Sequence, residues 1–129
     1  MPTSGFDPGA LLARSYALGR GPRVCLRLAR PRDGVGVARL FWSHGLEPDE
    51  LEVARLVRFD PRHRISICAT ALIDSAETVV GVGAIDLDHV PTGPSLFVLV
   101  DALGTGGLQE LLADALLGRA QVLTRGRAA

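Results

Sequence analysis

The feature that most constrains the fold lies near the end of the chain. Ser95–Val100 is an almost unbroken apolar run closed by Asp101, and beyond Gly104-Thr105-Gly106-Gly107 the residues Leu108, Leu111, Leu112, Ala115 and Leu116 follow at helical spacing. So short and apolar a run predicts a strand buried on both faces, and the leucine series gives the next segment a single apolar stripe, as in an amphipathic helix. A strand that enters a helix through a Gly-rich turn aims several backbone N–H groups, and the positive end of the helix dipole, at one point. Such a point attracts anions, phosphate above all.

The upstream pattern supplies the layers around that junction. Arg23-Val24-Cys25-Leu26-Arg27-Leu28 alternates with period two and predicts a half-buried strand with Val24, Leu26 and Leu28 on one face. Pro31-Arg32-Asp33-Gly34 breaks it, and Asp33 is placed to accept a backbone N–H at the start of a helix that carries Val37, Leu40 and Phe41 and stops near His44-Gly45. A second helix is expected from Glu47-Pro48 to Asp60-Pro61, with Leu51, Val53, Ala54, Leu56 and Val57 turned inward. Residues 65–72 and 78–85 alternate across Asp74-Ser75-Ala76-Glu77, a connection too short for a crossover helix, so they form an antiparallel hairpin. The last helix is expected to end near Gly118-Arg119-Ala120. The chain thus divides into a leader over residues 1–22 with one helix-capable stretch at 11–18, a domain over 23–120 and a flexible tail over 121–129.

Composition narrows the function classes. With 14 basic residues against 14 acidic ones and a pI near 6.8, the chain lacks the excess positive charge that a nucleic-acid-binding face needs. All of the basic residues are arginine and asparagine is absent, a pattern that fits GC-rich coding better than selection for guanidinium chemistry. Aromatics make up only 5% of the chain, so the core is aliphatic and base-stacking platforms are excluded. No apolar run approaches a membrane span, and the start, Met1-Pro2-Thr3-Ser4-Gly5, lacks a basic region followed by an apolar core. These features predict a soluble cytoplasmic protein with no membrane or nucleic-acid partner.

Little in the polar residues points to a metal or to a nucleophile. Cys25 and Cys68 match no metal spacing, and neither has a neighbouring His that would activate a thiol, so both read as reduced thiols. His44, His63 and His89 fall at surface loop positions with no pair at ligand spacing. Asp86 and Asp88 alternate at the end of the hairpin, where solvated strand-end carboxylates are the default and contact with a substrate amine is the alternative.

The order strand, helix, helix, strand, strand, strand, Gly-rich turn, helix resembles the GNAT superfamily of acyl-CoA-dependent N-acyltransferases. The words that carry the resemblance are Leu26-Arg27-Leu28-Ala29-Arg30-Pro31-Arg32-Asp33 with Val37-Ala38-Arg39-Leu40-Phe41, then Glu77-Thr78-Val79-Val80-Gly81-Val82-Gly83-Ala84, and finally Leu96 through Asp101 with Gly107-Leu108 and Leu111-Leu112. The resemblance implies an α/β (α+β) fold with a mixed, mainly antiparallel sheet in the order β-α-α-β-β-β-α, C-terminally shortened. It also implies acetyl-CoA or CoA as the cofactor, held by Leu99, Val100 and Asp101 at the strand end and by Gly104, Thr105, Gly106, Gly107, Leu108 and Gln109 in the pyrophosphate turn. The family writes that turn Arg/Gln-x-x-Gly-x-Gly/Ala. Here Gly107 matches, Gly104 stands at the leading position, and Gln109 puts a long side chain where a small residue belongs.

Acyl transfer needs a base for the amine, an N–H for the acyl oxygen and an acid for the sulfur. The backbone around Leu99 to Asp101 offers the second. The family often uses a tyrosine after this helix as the acid, but the sole tyrosine here is Tyr16 in the leader, so the sequence assigns no catalytic residue. Family members also continue with a fifth strand, and without one the strand holding Leu96 and Val100 is an open apolar edge that templates pairing. A homodimer through that edge is expected, with the leader or a partner strand as other ways to cover it. Three functions remain: an N-acetyltransferase acting on a small-molecule or protein amine, a non-catalytic GNAT-like module in dimerisation or regulation, and an unrelated α/β protein with a purely structural turn.

Overall fold

The computed structural model describes residues 15–17, 22–58, 60–87, 95–101 and 107–128. Its strands are β1 (Ser15–Tyr16), β2 (Val24–Leu28), β3 (Arg64–Ile73), β4 (Ala76–Asp86) and β5 (Ser95–Val100), and its helices are α1 (Gly34–Ser43), α2 (Glu50–Val57) and α3 (Leu108–Ala128). The five strands form one sheet in sequential order, and every neighbouring pair is antiparallel. This is the mainly antiparallel α/β arrangement expected from the sequence, with β5 at one edge and β1 at the other.

Both faces of the sheet are covered, which is why β3 and β4 are buried on successive residues rather than alternate ones. On one face Val24, Leu26, Ile65, Ile67 and Ile85 meet Leu108, Leu112, Ala115 and Leu116 of α3. On the other, Cys68, Val82 and Ala84 meet Val37, Leu40 and Phe41 of α1 and Leu56 and Val57 of α2. The Phe41 ring stacks on Phe97 of β5 with centroids 6.2 Å apart, fastening α1 to the edge strand. Glycines allow the close approach of α3: a Cβ on Gly83 would lie 2.6 Å from Leu116 Cδ1.

A bulge interrupts the β3–β4 ladder. Ala69 opposes Gly81 and Thr70 opposes Val79, so Val80 is the extra residue. Val80 packs with α3, while Val79 and Val82 pack with the α1–α2 layer. At the far end, Asp74 and Ser75 join the two strands with φ of 51° and 67°, the two-residue turn whose twist matches a hairpin.

Several sequence expectations change. Residues 15 and 16, inside the stretch read as helix-capable, form β1: Ser15 pairs with Cys25 and Tyr16 with Val24. The rest of that stretch lies outside the described residues. Helix α2 begins at Glu50, not at Glu47-Pro48, because the Asp49 carboxylate accepts the Leu51 N–H at 2.9 Å and so supplies the cap. Its interior face is narrower than expected, with Leu56 and Val57 buried, Val53 half-buried, Ala54 exposed and Leu51 71% exposed. Strand β5 is half-buried because it is an edge strand, and Leu96 is exposed. Helix α3 runs on to Ala128, through the segment expected to be a tail; Ala120 is buried against the sheet and extends the stripe past Gly118.

Candidate functional site

The site grows from the way β5 ends. The Asp101 N–H donates to the Val80 carbonyl at 2.9 Å, so the bulge receives one more ladder bond beyond the strand. With Asp101 facing β4, the alternation of an antiparallel strand turns the N–H and C=O groups of Val100, Val98 and Leu96 toward the open edge. No described residue forms a strand along that edge. The side chains divide between the layers: Val98 and Val100 pack toward α3, and Phe97 and Leu99 toward α1 and α2.

On the far side of the turn, Gly107 holds φ at 84°, a left-handed backbone that side-chain-bearing residues rarely adopt. The Gly107 carbonyl accepts the Leu111 N–H at 3.0 Å and opens the helical ladder. The N–H groups of Leu108, Gln109 and Glu110 precede that first bond and have no intrahelical partner, which leaves the positive end of the dipole at this point. Leu108 is fully buried and anchors the first turn, while Gln109 is exposed. Gly104, Thr105 and Gly106 lie outside the described residues. The structure therefore brings Leu99, Val100 and Asp101 to the strand end and Gly107, Leu108 and Gln109 to the helix start.

One side chain at this end was not singled out by the sequence. His44 follows the last turn of α1, and its Nε2 is hydrogen-bonded to the Val100 carbonyl. A carbonyl only accepts, so Nε2 carries the proton. The only sequence signal was Gly45, which places the preceding residue at a helix C-terminus. The reach to β5 depends on how α1 crosses the sheet.

Most of the other polar groups pair with one another, although Arg27 Nε and Ser66 Oγ are buried without a hydrogen-bond partner among the described residues. Arg27 donates from Nη1 and Nη2 to the two Asp33 carboxylate oxygens at 2.8 and 2.7 Å, and from Nη2 to Glu77 Oε1 at 2.7 Å. Asp33 also accepts the Arg30 N–H at 2.8 Å, so it caps the turn before α1 from the upstream side rather than bonding into the helix as expected. Burial pushes the Asp33 carboxyl up, but the Arg27 fork and the Arg30 N–H outweigh it and hold the group below its ordinary value. The bond to Asp33 in turn holds the Arg27 guanidinium above its usual range. Cys25 and Cys68 share a sheet face, each opposite a residue of the other's strand, and burial pushes the Cys68 thiol up to about 12, which removes it as a nucleophile.

Asp86 accepts from Arg64 Nε at 2.7 Å and is a neutralised strand-end carboxylate, while Asp88 lies outside the described residues. His63 pairs with Asp60 at 3.1 Å, and His89 is outside the described residues. Among the described residues no cluster of His, Cys, Asp or Glu has the makings of a metal site. None of the described helices is long and apolar enough to cross a membrane.

No protein-family model and no curated protein sequence matches the chain. Among solved structures it is similar to the ribosomal-protein-alanine N-acetyltransferase from Brucella melitensis biovar Abortus 2308, with a TM-score of 0.53 and 25% identity over 76% of this chain and 72% of that one. Together with the element order and the strand-to-helix junction, this similarity supports a relationship to the GNAT superfamily. At the level of the family, the likeness supports a GNAT-like acetyltransferase.

Proposed function

We propose that the chain is an acyl-CoA-binding N-acetyltransferase of GNAT type, with acetyl-CoA or CoA taken at the junction of β5 and α3. One observation carries the proposal: an edge strand with outward N–H and C=O groups at Val98 and an outward N–H at Val100, whose carbonyl His44 already bonds, runs toward a helix whose first N–H groups have no partner in the helix. The outward groups offer a ladder to the amides of a pantetheine arm, as a sheet edge does to an added strand. Leu99, Val100 and Asp101 would flank the thioester, and Gly104, Thr105, Gly106, Gly107, Leu108 and Gln109 would form the pyrophosphate turn. Such a turn would bind through its backbone, since Gly104 brings no capping side chain; Gln109 at the start of α3 is exposed. Bound there, acetyl-CoA supplies an activated acyl group for a small-molecule or protein amine in the cytoplasm.

A thermal shift tests this. Ligand at a hundred times its dissociation constant stabilises a native-only binder by about 2.7 kcal/mol, several degrees for a domain of this size. Both CoA and acetyl-CoA should produce it, and no shift at millimolar ligand rejects the proposal. The rejected case leaves a non-catalytic module for dimerisation or regulation, a role supported by the exposed Leu96 on the open edge of β5. For that module we propose a homodimer through the same edge, which a partner strand and a pantetheine arm could not share; light scattering that reads a monomer across micromolar concentrations contradicts it.

A further inference from the structure

We infer that His44 is the acid–base residue of the acyl-transfer site. The inference rests on the acyl-CoA proposal above and adds to it the group that moves the proton. Its imidazole is held at the last residue of β5 through the bond from Nε2 to the Val100 carbonyl. That bond fixes the tautomer: with Nε2 protonated, Nδ1 of the neutral ring keeps its lone pair. Val100 is the residue whose outward backbone lies beside the proposed thioester, so the hydrogen bond holds the imidazole next to the reacting group. The sole tyrosine is no rival. Tyr16 is on β1, at the opposite edge of the sheet and four strand spacings away, about 19 Å. Cys68 is buried with its thiol pushed up to about 12, and the carboxylates of Asp33 and Asp86 are already bonded to arginines.

The transfer then balances. The amine nitrogen forms a bond to the thioester carbonyl carbon, the C–S bond breaks, and its electron pair leaves with sulfur. One amine proton passes to Nδ1 of His44, and the imidazolium returns a proton to the departing thiolate, so the products are the amide and the free thiol.

The test uses the full chain, CoA and acetyl-CoA as ligands, and a short peptide with an N-terminal alanine as the amine probe. Side-chain 15N NMR should show His44 protonated at Nε2, and its Nδ1 signal should shift when CoA is added. His44→Ala and His44→Gln should keep the thermal shift with CoA yet release thiol from acetyl-CoA about a hundredfold more slowly. Added imidazole should restore the His44→Ala rate. The glutamine variant can still donate to Val100, so wild-type thiol release by His44→Gln would reduce His44 to a tether and overturn the inference. A CoA titration that leaves the His44 signals unmoved, or CoA binding without thiol release by the wild type, overturns it while the binding site stands. Absence of any thermal shift rejects the acyl-CoA proposal itself, and this inference with it.

Discussion

Two polar regions on opposite sides of the sheet centre differ in how they dispose of their hydrogen-bonding groups. At the corner between β2 and α1, Arg27, Asp33, Glu77 and the Arg30 N–H bond one another, with Asp33 only 4% exposed and Arg27 Nε buried without a partner among the described residues. At the junction of β5 and α3 the backbone is left with outward groups on an edge strand and first-turn N–H groups outside the helical ladder. Self-satisfied polar groups stabilise architecture, whereas preorganised and unsatisfied ones are positioned for something else to bind. Rank by charge alone would choose the arginine cluster, which has the stronger electrostatics but most of its polar groups already paired.

The largest expected effect breaks the first region. Asp33→Ala leaves Arg27 without its fork partner and should destabilise the fold by roughly 3–5 kcal/mol in chemical denaturation, with no change in CoA affinity among molecules that remain folded. Acid gives the same information with a definite sign. The folded Asp33 carboxyl titrates below its unfolded value, so its contribution is complete above the unfolded pKa and is lost as pH falls through the folded one. Asp33→Asn should therefore flatten the fall in stability on the acid side of about pH 4. A variant as acid-sensitive as the wild type would show that the pair is not a stabilising element.

The second region is broken at Gly107. A valine there must hold φ near 84° and places a branched Cβ at the helix mouth, so Gly107→Val should lose most of the roughly 2.7 kcal/mol that saturating CoA contributes. An unchanged ligand shift, measured against the variant's own melting point, would remove the turn from the site. Gly83→Val asks whether the two regions are mechanically separate. Its added side chain meets Leu116 and should cost about 1–3 kcal/mol in denaturant stability by displacing α3, weakening CoA binding while the Arg27 corner keeps its amide shifts. The smallest effect is a control outside both regions: Ser75→Gly relieves a left-handed residue in the hairpin turn and should raise stability by about 0.5–1 kcal/mol without altering binding.

What could be read from the sequence follows the range of the forces involved. Strand β2 and the apolar stripe of α3 are local periodicities, and most of the residues that show them are buried, with Leu28 and Leu111 half-buried; β3 and β4 were legible as apolar runs, but burial on both faces replaces the alternation expected of them. The start of α2 was misread because Pro48 suits a first helical position, while the competing signal, the carboxylate of Asp49, is equally local and is the one that forms the cap. Strand β1 was hidden because two residues carry no periodicity of their own; pairing with Val24 and Cys25 decides their conformation. Leu51 looked interior, yet α2 has only eight residues, and the sheet below it covers a single turn. At the proposed site, the end of β5 and the start of α3 were legible because an apolar run and a leucine stripe are local patterns. The contact of His44 with Val100 was not: it depends on the crossing of α1 over β5, which is tertiary geometry.

Backbone amide NMR during a CoA titration tests, residue by residue, the proposal that ligand chemistry resides at the β5–α3 junction and not at the charged corner. Shifts should concentrate at Val98, Val100 and Asp101 and at Leu108, Gln109 and Glu110, with Arg27, Arg30 and Asp33 unmoved. Shifts confined to the Arg27 corner, or none at saturating CoA, would contradict it.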